Sequence, residues 1–308
     1  MTYPSLHVAF FTDQVMLPGL HVALLSLLEA YKSERTLEIH VFLDGVTAAD
    51  KSLLSETVES VRSNASLHLR DVTVPGVPGA NSLHGNTTAY GRIFLAELLP
   101  ACDCVLYLDC DVVAVKSIAE WFALRNSGAT IYADGNHSRG SSLDRLLFQG
   151  AGLDMSRTCF NSGAMLIDLS LWRQRDRTTE CLRTAQRFPG RFRSADQALL
   201  NVVFHDDFVA VGSAFNHHLY PTTRPASLLR NDARILHFVG SPKPWDPTGA
   251  LVHHNYWLWR YFYERTALGG RSPLRYASVR RALRTLPSVC RAWRQSKACS
   301  RIASASIK

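Results

Sequence analysis

The chain predicts an α/β fold, a Rossmann-like nucleotide-binding sheet flanked by helices; two observations carry that expectation and a third narrows it. Strand-like apolar runs alternate with helical stretches over residues 7–72 in a βαβαβ order. The run VLYLDCDVVAV, Val105 to Val115, is apolar on both faces until two carboxylates interrupt it. No G-x-G-x-x-G follows the first strand, so the ordinary dinucleotide fingerprint is absent.

Strands are expected at His7–Phe11, Leu37–Leu43 and Leu67–Val72, with helices at Leu20–Lys32 and Ala48–Val61 between them. A Pro/Gly-rich loop, Val74 to Gly85, leads into a helix carrying Tyr90, Arg92 and Phe94 that ends near Pro100. In the following run a strand period of two places Tyr107, Asp109, Asp111 and Val113 on one face, with the acids at the carboxyl end. In open α/β sheets that end faces the ligand crevice, and two adjacent carboxylates repel unless a cation or a proton lies between them. A divalent metal answers this; solvated acids at a strand exit are the plain alternative. Further strands are expected at Ala129–Ala133, Ala164–Leu169, Phe208–Val211 and Ile235–Val239. In HHNYWLWRYFYER, His253 to Arg265, the aromatics surround a helix and suit core or lid packing.

With 308 residues, 46% hydrophobic and 19% charged, the chain is globular and can bury a substantial core. Its seven cysteines are scattered, odd in number and without C-x-x-C spacing, so they suggest neither a disulfide framework nor a zinc site and fit a reducing compartment. MTYPSLHVAFFTDQ lacks a basic region before its short apolar run, and no eighteen apolar residues occur together, so neither an export signal nor a membrane span is expected. The net charge of +8 is uneven: Gly269 to Lys308 holds ten Lys or Arg and no acid, leaving −2 for the rest. Arginines alternate there with Leu274, Tyr276, Val279, Leu283, Leu286, Val289 and Trp293, broken by Pro287, as in basic amphipathic helices that bind an anionic membrane surface. Nucleic acid is set aside because the charge is confined to one end without a recognition motif. A catalytic domain over residues 1–265 and a basic amphipathic tail over 266–308 are expected.

Five separated pieces carry polar residues at element ends. Asp13 stands in FFTDQ, His84 and Arg92 in HGNTTAYGR, Asn161 in FNSGAMLIDL, Asp196 and Gln197 in SADQALLN, and His237 opens HFVGSPKPW. Each alone has an ordinary explanation: a helix-initiating acid, a turn, a core histidine.

Together, in this order, they resemble glycosyltransferase family 8, the retaining galactosyl- and glucosyltransferases of the GT-A fold, from about His7 to Tyr263. The resemblance implies a single GT-A domain with a mixed sheet. It implies metal ligands at Asp109, Asp111 and His237, with Gly240 and Lys243 on the donor diphosphate. Asp13, His84, Arg92, Tyr107 and Asn161 match positions that hold the donor, and Asp196 and Gln197 those beside the reacting sugar. Asp134 is a weaker candidate for the acceptor side. An imidazole ligand tilts the metal toward Mn²⁺ over Mg²⁺. Retention calls for a carboxylate nucleophile, yet the matching position is the amide Gln197; either Asp196 attacks, or the acceptor enters on the face the diphosphate leaves, which is favoured here. Val15 and Met16 stand where the family commonly has Asn-Tyr, so an aromatic platform for uracil is missing there. The implied donor is UDP-galactose or UDP-glucose, and the acceptor lipopolysaccharide or another glycan or glycolipid, presented to a cytoplasmic enzyme peripheral on the inner membrane face. A metal-dependent nucleotidyltransferase would also place acids and a Lys at a strand end. A membrane-peripheral carbohydrate-binding protein without turnover is the third expectation.

Overall fold

The computed structural model describes residues 4–80, 87–125, 127–135, 137–224 and 232–277, and beyond them positions 283, 286, 287, 289 and 290. The βαβαβ start forms as expected: β1 (Leu6–Asp13), α1 (Leu17–Ala30), β2 (Leu37–Asp44), α2 (Ala48–Glu59) and β3 (Ala65–Asp71). The three strands pair in parallel, Leu6 opposite Leu37 and Leu37 opposite Ala65. Strand periodicity divides β1 between two cores, Leu6, Val8 and Phe10 facing one and Ala9 and Phe11 the other. Every residue from Leu17 to Leu28 is buried, which is why α1 is apolar almost all round. Thr47 starts α2 by accepting the Asp50 N–H at 3.2 Å.

After a 3-10 segment, Thr88–Phe94, come α3 (Leu95–Leu98), β4 (Cys104–Leu108), β5 (Val112–Ala114) and β6 (Ile131–Ala133). Next are β7 (His137–Ser138), α4 (Arg145–Gly150), β8 (Thr158–Cys159), β9 (Ala164–Asp168), α5 (Leu169–Gln174), α6 (Arg177–Arg187) and α7 (Asp196–Val203). The order closes with β10 (Phe208–Ala210), β11 (His217–His218), β12 (Ile235–His237), α8 (Gly249–Val252) and α9 (Tyr256–Tyr263). A seven-stranded sheet runs β10-β6-β9-β4-β1-β2-β3, and a three-stranded sheet runs β11-β12-β5. The large sheet is mixed because β9 pairs antiparallel with both β4 and β6.

The strand expected through Val105–Val115 is corrected. It stops at Leu108, turns at Cys110–Asp111, and resumes as β5 in the smaller sheet, paired with β12. Asp109 donates its backbone N–H to the Gly163 carbonyl at 2.7 Å, and Phe238 donates to the Asp111 carbonyl at 2.9 Å. The two acids are therefore brought together by a turn between two sheets, not by the period of one strand. The helix expected around Arg92 opens in 3-10 form, with Gly91 tight against the Phe11 ring, where a Cβ would lie 2.3 Å from ring carbons.

In α9, Leu258, Trp259, Phe262 and Tyr263 are buried while Trp257 and Tyr261 are exposed, so one face serves the core. Residues 266–277 also pack on this body: Leu268 is fully buried, and Tyr276 donates its hydroxyl to Asp50 at 2.7 Å. The remainder of the basic segment, apart from the five positions named, lies outside the described residues. Among the described residues no helix is long and apolar enough to cross a membrane.

Candidate active site

At the carboxyl ends of β1 and β4, where the strand order reverses, a cavity of about 550 Å³ opens. Every residue expected to hold metal or donor or to stand beside the reacting sugar lines it where the structure describes that residue; His84 lies outside the described residues. Val15 and Met16 line it too, and Asp13 accepts the Met16 N–H at 3.0 Å.

Its floor is the cluster Asp109, Asp111 and His237, whose ligand-type atoms lie within 4.8 Å of one another. His237 Nε2 is 3.2 Å from Asp111 Oδ1 and 3.9 Å from Asp109 Oδ2. Among the described residues no donor is aligned with the buried Asp111 Oδ1, which is costly unless something else occupies it. Its other oxygen is ion-paired to Lys243, whose ammonium also donates to the Phe238 carbonyl at 2.7 Å. Burial pushes the Asp111 carboxyl up, but Lys243 and His237 outweigh it and hold the group far below the usual range.

The imidazole is aimed by a residue that the sequence did not single out. His237 Nδ1 lies 2.9 Å from Asn216 Oδ1, and Asn216 Nδ2 donates to Asn161 Oδ1 at 2.8 Å. That orientation makes Nδ1 the donor, so in the neutral ring Nε2 carries the lone pair that faces the carboxylates. Asn161 Oδ1 also accepts the Gly163 N–H at 2.9 Å, and Asn161 Nδ2 donates to Gln197 Oε1 at 3.0 Å. One chain of amides thus runs from the metal-ligand-type histidine to Gln197. Gly163 is required here: an added Cβ would sit 2.2 Å from His237 Cε1 and 2.8 Å from Asp109 Oδ2. The motif FNSG held both Asn161 and Gly163, but Asn216 in AFNHHLY carries no spacing that marks it.

Arg92 is buried and directed at protein acceptors. It donates to Asp109 Oδ1 at 2.8 Å, the Ser162 carbonyl at 2.6 Å and the Ala89 carbonyl at 2.9 Å, and lies 3.2 Å from Asp196. Its guanidinium covers the Tyr107 ring at 4.2 Å, and the Tyr107 hydroxyl donates to Asp109 Oδ1 at 2.6 Å. Asp196 enters α7 after Ala195, whose φ of 50° turns the chain into the cleft. Burial pushes the Asp196 carboxyl up to about 6, although Arg92 pulls the other way. Gln197 Oε1 accepts from Asn161 and, at 3.3 Å, from the Ser162 N–H, while its NH₂ group has no protein acceptor among the described residues. Asp134, expected on the acceptor side, is not in the cavity wall; its carboxylate faces His137 and His218.

The residues fit a divalent cation: two carboxylates and one imidazole with a buried oxygen that lacks a donor, in a pocket the size of a small ligand. A mixed α/β sheet with that cluster at its switch point, flanked by amides suited to sugar hydroxyls, defines a GT-A glycosyltransferase. The chain belongs to Glycosyl transferase family 8, whose sequence profile matches residues 7–249. It is 24% identical to glycosyltransferase GlyF of Streptococcus pneumoniae serotype 4, over 68% of this chain and 48% of GlyF. It is 34% identical to the Arabidopsis thaliana protein described as "Probable galacturonosyltransferase-like 3", over 51% of this chain and 49% of that one. The chain thus spans about half the length of these curated relatives. Its fold is similar to that of the galactosyltransferase LgtC, solved with donor and acceptor sugar analogs, with a TM-score of 0.68 and 22% identity over 85% of this chain and 96% of LgtC.

Proposed function

We propose that this glycosyltransferase moves a galactosyl or glucosyl group from a UDP-sugar to a saccharide hydroxyl with retention of anomeric configuration. The observation that carries the proposal is the convergence of Asp109, Asp111 and His237 on one point of the cavity beside Gln197. Asp109, Asp111 and His237 would hold a divalent cation, Mn²⁺ by preference because of the nitrogen donor, which as a Lewis acid neutralises charge on the leaving diphosphate.

The remaining roles belong to the chain. Lys243, paired with Asp111 in this structure, is a flexible point charge that can turn to the departing phosphate. Arg92 holds Asp109 and Asp196 a fixed distance apart, so neither carboxylate swings into the reacting sugar. Gln197 presents N–H donors rather than a nucleophile, and Asp196 is engaged by Arg92 and by the Ser162 hydroxyl at 3.2 Å. These engagements favour front-face attack. The acceptor oxygen bonds to the anomeric carbon as the carbon–diphosphate bond breaks, and the departing phosphate oxygen takes the acceptor's proton. Val15 and Met16 would contact the base through soft apolar surface.

The acceptor we propose is a glycan or glycolipid of the lipopolysaccharide kind, met at the cytoplasmic face of the inner membrane through the basic C-terminal segment. The test is UDP release from UDP-galactose and UDP-glucose with and without Mn²⁺, with product configuration read by NMR. Metal-dependent release of UDP and an α-linked product are expected. Release of pyrophosphate from a nucleoside triphosphate, or an inverted product, would overturn the proposal.

A further inference from the structure

Behind the cavity, Asp134 follows β6, His137 opens β7 and His218 ends β11, and their side chains meet. His137 Nε2 is 3.8 Å from Asp134 Oδ2, and His218 Nε2 is 3.9 Å from the same oxygen. The imidazoles stack with centroids 5.0 Å apart and planes 11° from parallel, so the two nitrogens flank one carboxylate oxygen. These separations are too long for hydrogen bonds. Among the described residues both Nε2 atoms are nonetheless buried without a hydrogen-bond partner, and leaving a polar atom so costs about 1–3 kcal/mol. Two unpartnered nitrogens converging on a buried carboxylate have a simple common solution.

We infer that Asp134, His137 and His218 form a second metal site, for a zinc-class transition cation, separate from the cluster in the sugar-donor cavity. Zinc binds His nitrogen and carboxylate oxygen at about 2.0–2.2 Å, which in a tetrahedron places ligand atoms about 3.3 Å apart. Each nitrogen–oxygen pair needs to close by only about half an ångström to reach that spacing, and all three ligand atoms already lie within 4.8 Å of one another. Two nitrogens with a single oxygen select a borderline transition metal over Mg²⁺ or Ca²⁺. His137, at 38% side-chain exposure, leaves an entry path and room for a water as fourth ligand. None of the three lines the donor cavity. His218 pairs through β11 with His237 of β12, so the ion would tie β7 to the small sheet that carries the cavity's own imidazole. The His218 ring meets His237 edge-on, with centroids 5.7 Å apart, so the ion would brace the cavity's own imidazole from behind.

Cobalt provides the test, because Co²⁺ in a tetrahedral nitrogen–oxygen site absorbs strongly in the visible. Wild-type protein, D111N, H137Q and H218Q are dialysed against Co²⁺, counted for metal per chain, and scanned; Mn²⁺ binding is then measured separately. Wild type should take two ions and show the visible band, and D111N should keep the band while binding one. H137Q and H218Q should lose the band, with affinity for that ion down at least tenfold, while still binding Mn²⁺ in the cavity. A wild-type stoichiometry of one, or a band unchanged in both histidine variants, would overturn the assignment. Loss of the band in D111N with its retention in H137Q would place the ion in the cavity and overturn it equally.

Discussion

Gly163 shows most directly how a single side chain position limits the site. Its Cα faces His237 so closely that even a methyl group would overlap Cε1 at 2.2 Å, and the other contacts are Asp109 Oδ2 and His237 Nδ1. G163A is therefore expected to push the imidazole off the Asn216 amide and out of the cluster. Disturbing the partners that orient a metal-ligating histidine typically weakens affinity by about 10–100-fold. Mn²⁺ titration of G163A should show at least that loss with the unfolding midpoint little changed; wild-type affinity would mean that His237 is no ligand. Asp196 offers a test of electrostatics. Its folded carboxyl is raised from 3.8 to about 6, so its contribution to stability is present below the unfolded value and lost as pH rises through about 6. The sign follows from burial favouring the neutral acid. The stability of wild type relative to D196N should fall by about 2 kcal/mol between pH 4 and pH 7, at about 1.36 kcal/mol per unit of pKa difference. Urea unfolding of both proteins at four pH values measures this, and a flat difference would show that the carboxyl is not desolvated.

The elements that position these residues were readable in the sequence to different depths. β1, β2 and α1 announce themselves through predominantly apolar runs, because most of each is buried on both faces or all round. The break at Asp109 was hidden, since no Gly or Pro marks a turn inside VLYLDCDVVAV. Its cause is tertiary: β4 ends by bonding to Gly163 and β5 leaves to meet β12, residues more than fifty and a hundred positions away. The link between Asn216 and His237 is invisible for the same reason. The grouping of Asp109, Asp111 and His237 was legible because its residue types recur in a spaced family pattern, and its orienting amides were not. The segment after α9 is a further element whose role only packing reveals. Asp50 accepts from the Thr47 hydroxyl at 2.6 Å, Gln14 at 2.6 Å and Tyr276 at 2.7 Å, joining α2, the loop after β1 and residues 266–277. Hydrogen bonds to a charged group contribute about 1.5–3 kcal/mol, so Y276F should lower unfolding stability by that much in a urea titration. A change below about 0.5 kcal/mol, the scatter of neutral surface substitutions, would mean that the segment unfolds apart from the body.

For the whole molecule the deciding property is charge. The net +8 and the count of eight Lys or Arg in residues 278–308 leave a chain ending at Ala277 formally neutral. All the cavity-lining residues lie between Phe11 and Lys243, so the chemistry and the charge occupy different parts of the chain. That separation makes one experiment informative about both. A basic group near an anionic bilayer contributes about 1 kcal/mol, so even a few engaged groups raise vesicle affinity by orders of magnitude. The full chain should sediment with phosphatidylglycerol-containing vesicles at low salt and release as the Debye length falls to about 3 Å at 1 M ionic strength. The chain ending at Ala277 should lose at least a hundredfold in vesicle affinity while it still releases UDP from a soluble donor. A glycolipid acceptor in the same vesicles should then be glycosylated more slowly by the shortened chain, and a soluble saccharide acceptor at the same rate. Equal sedimentation of both chains would remove the membrane from the proposal and leave the cavity chemistry standing, because nothing in Asp109, Asp111, His237 or Gln197 depends on the tail.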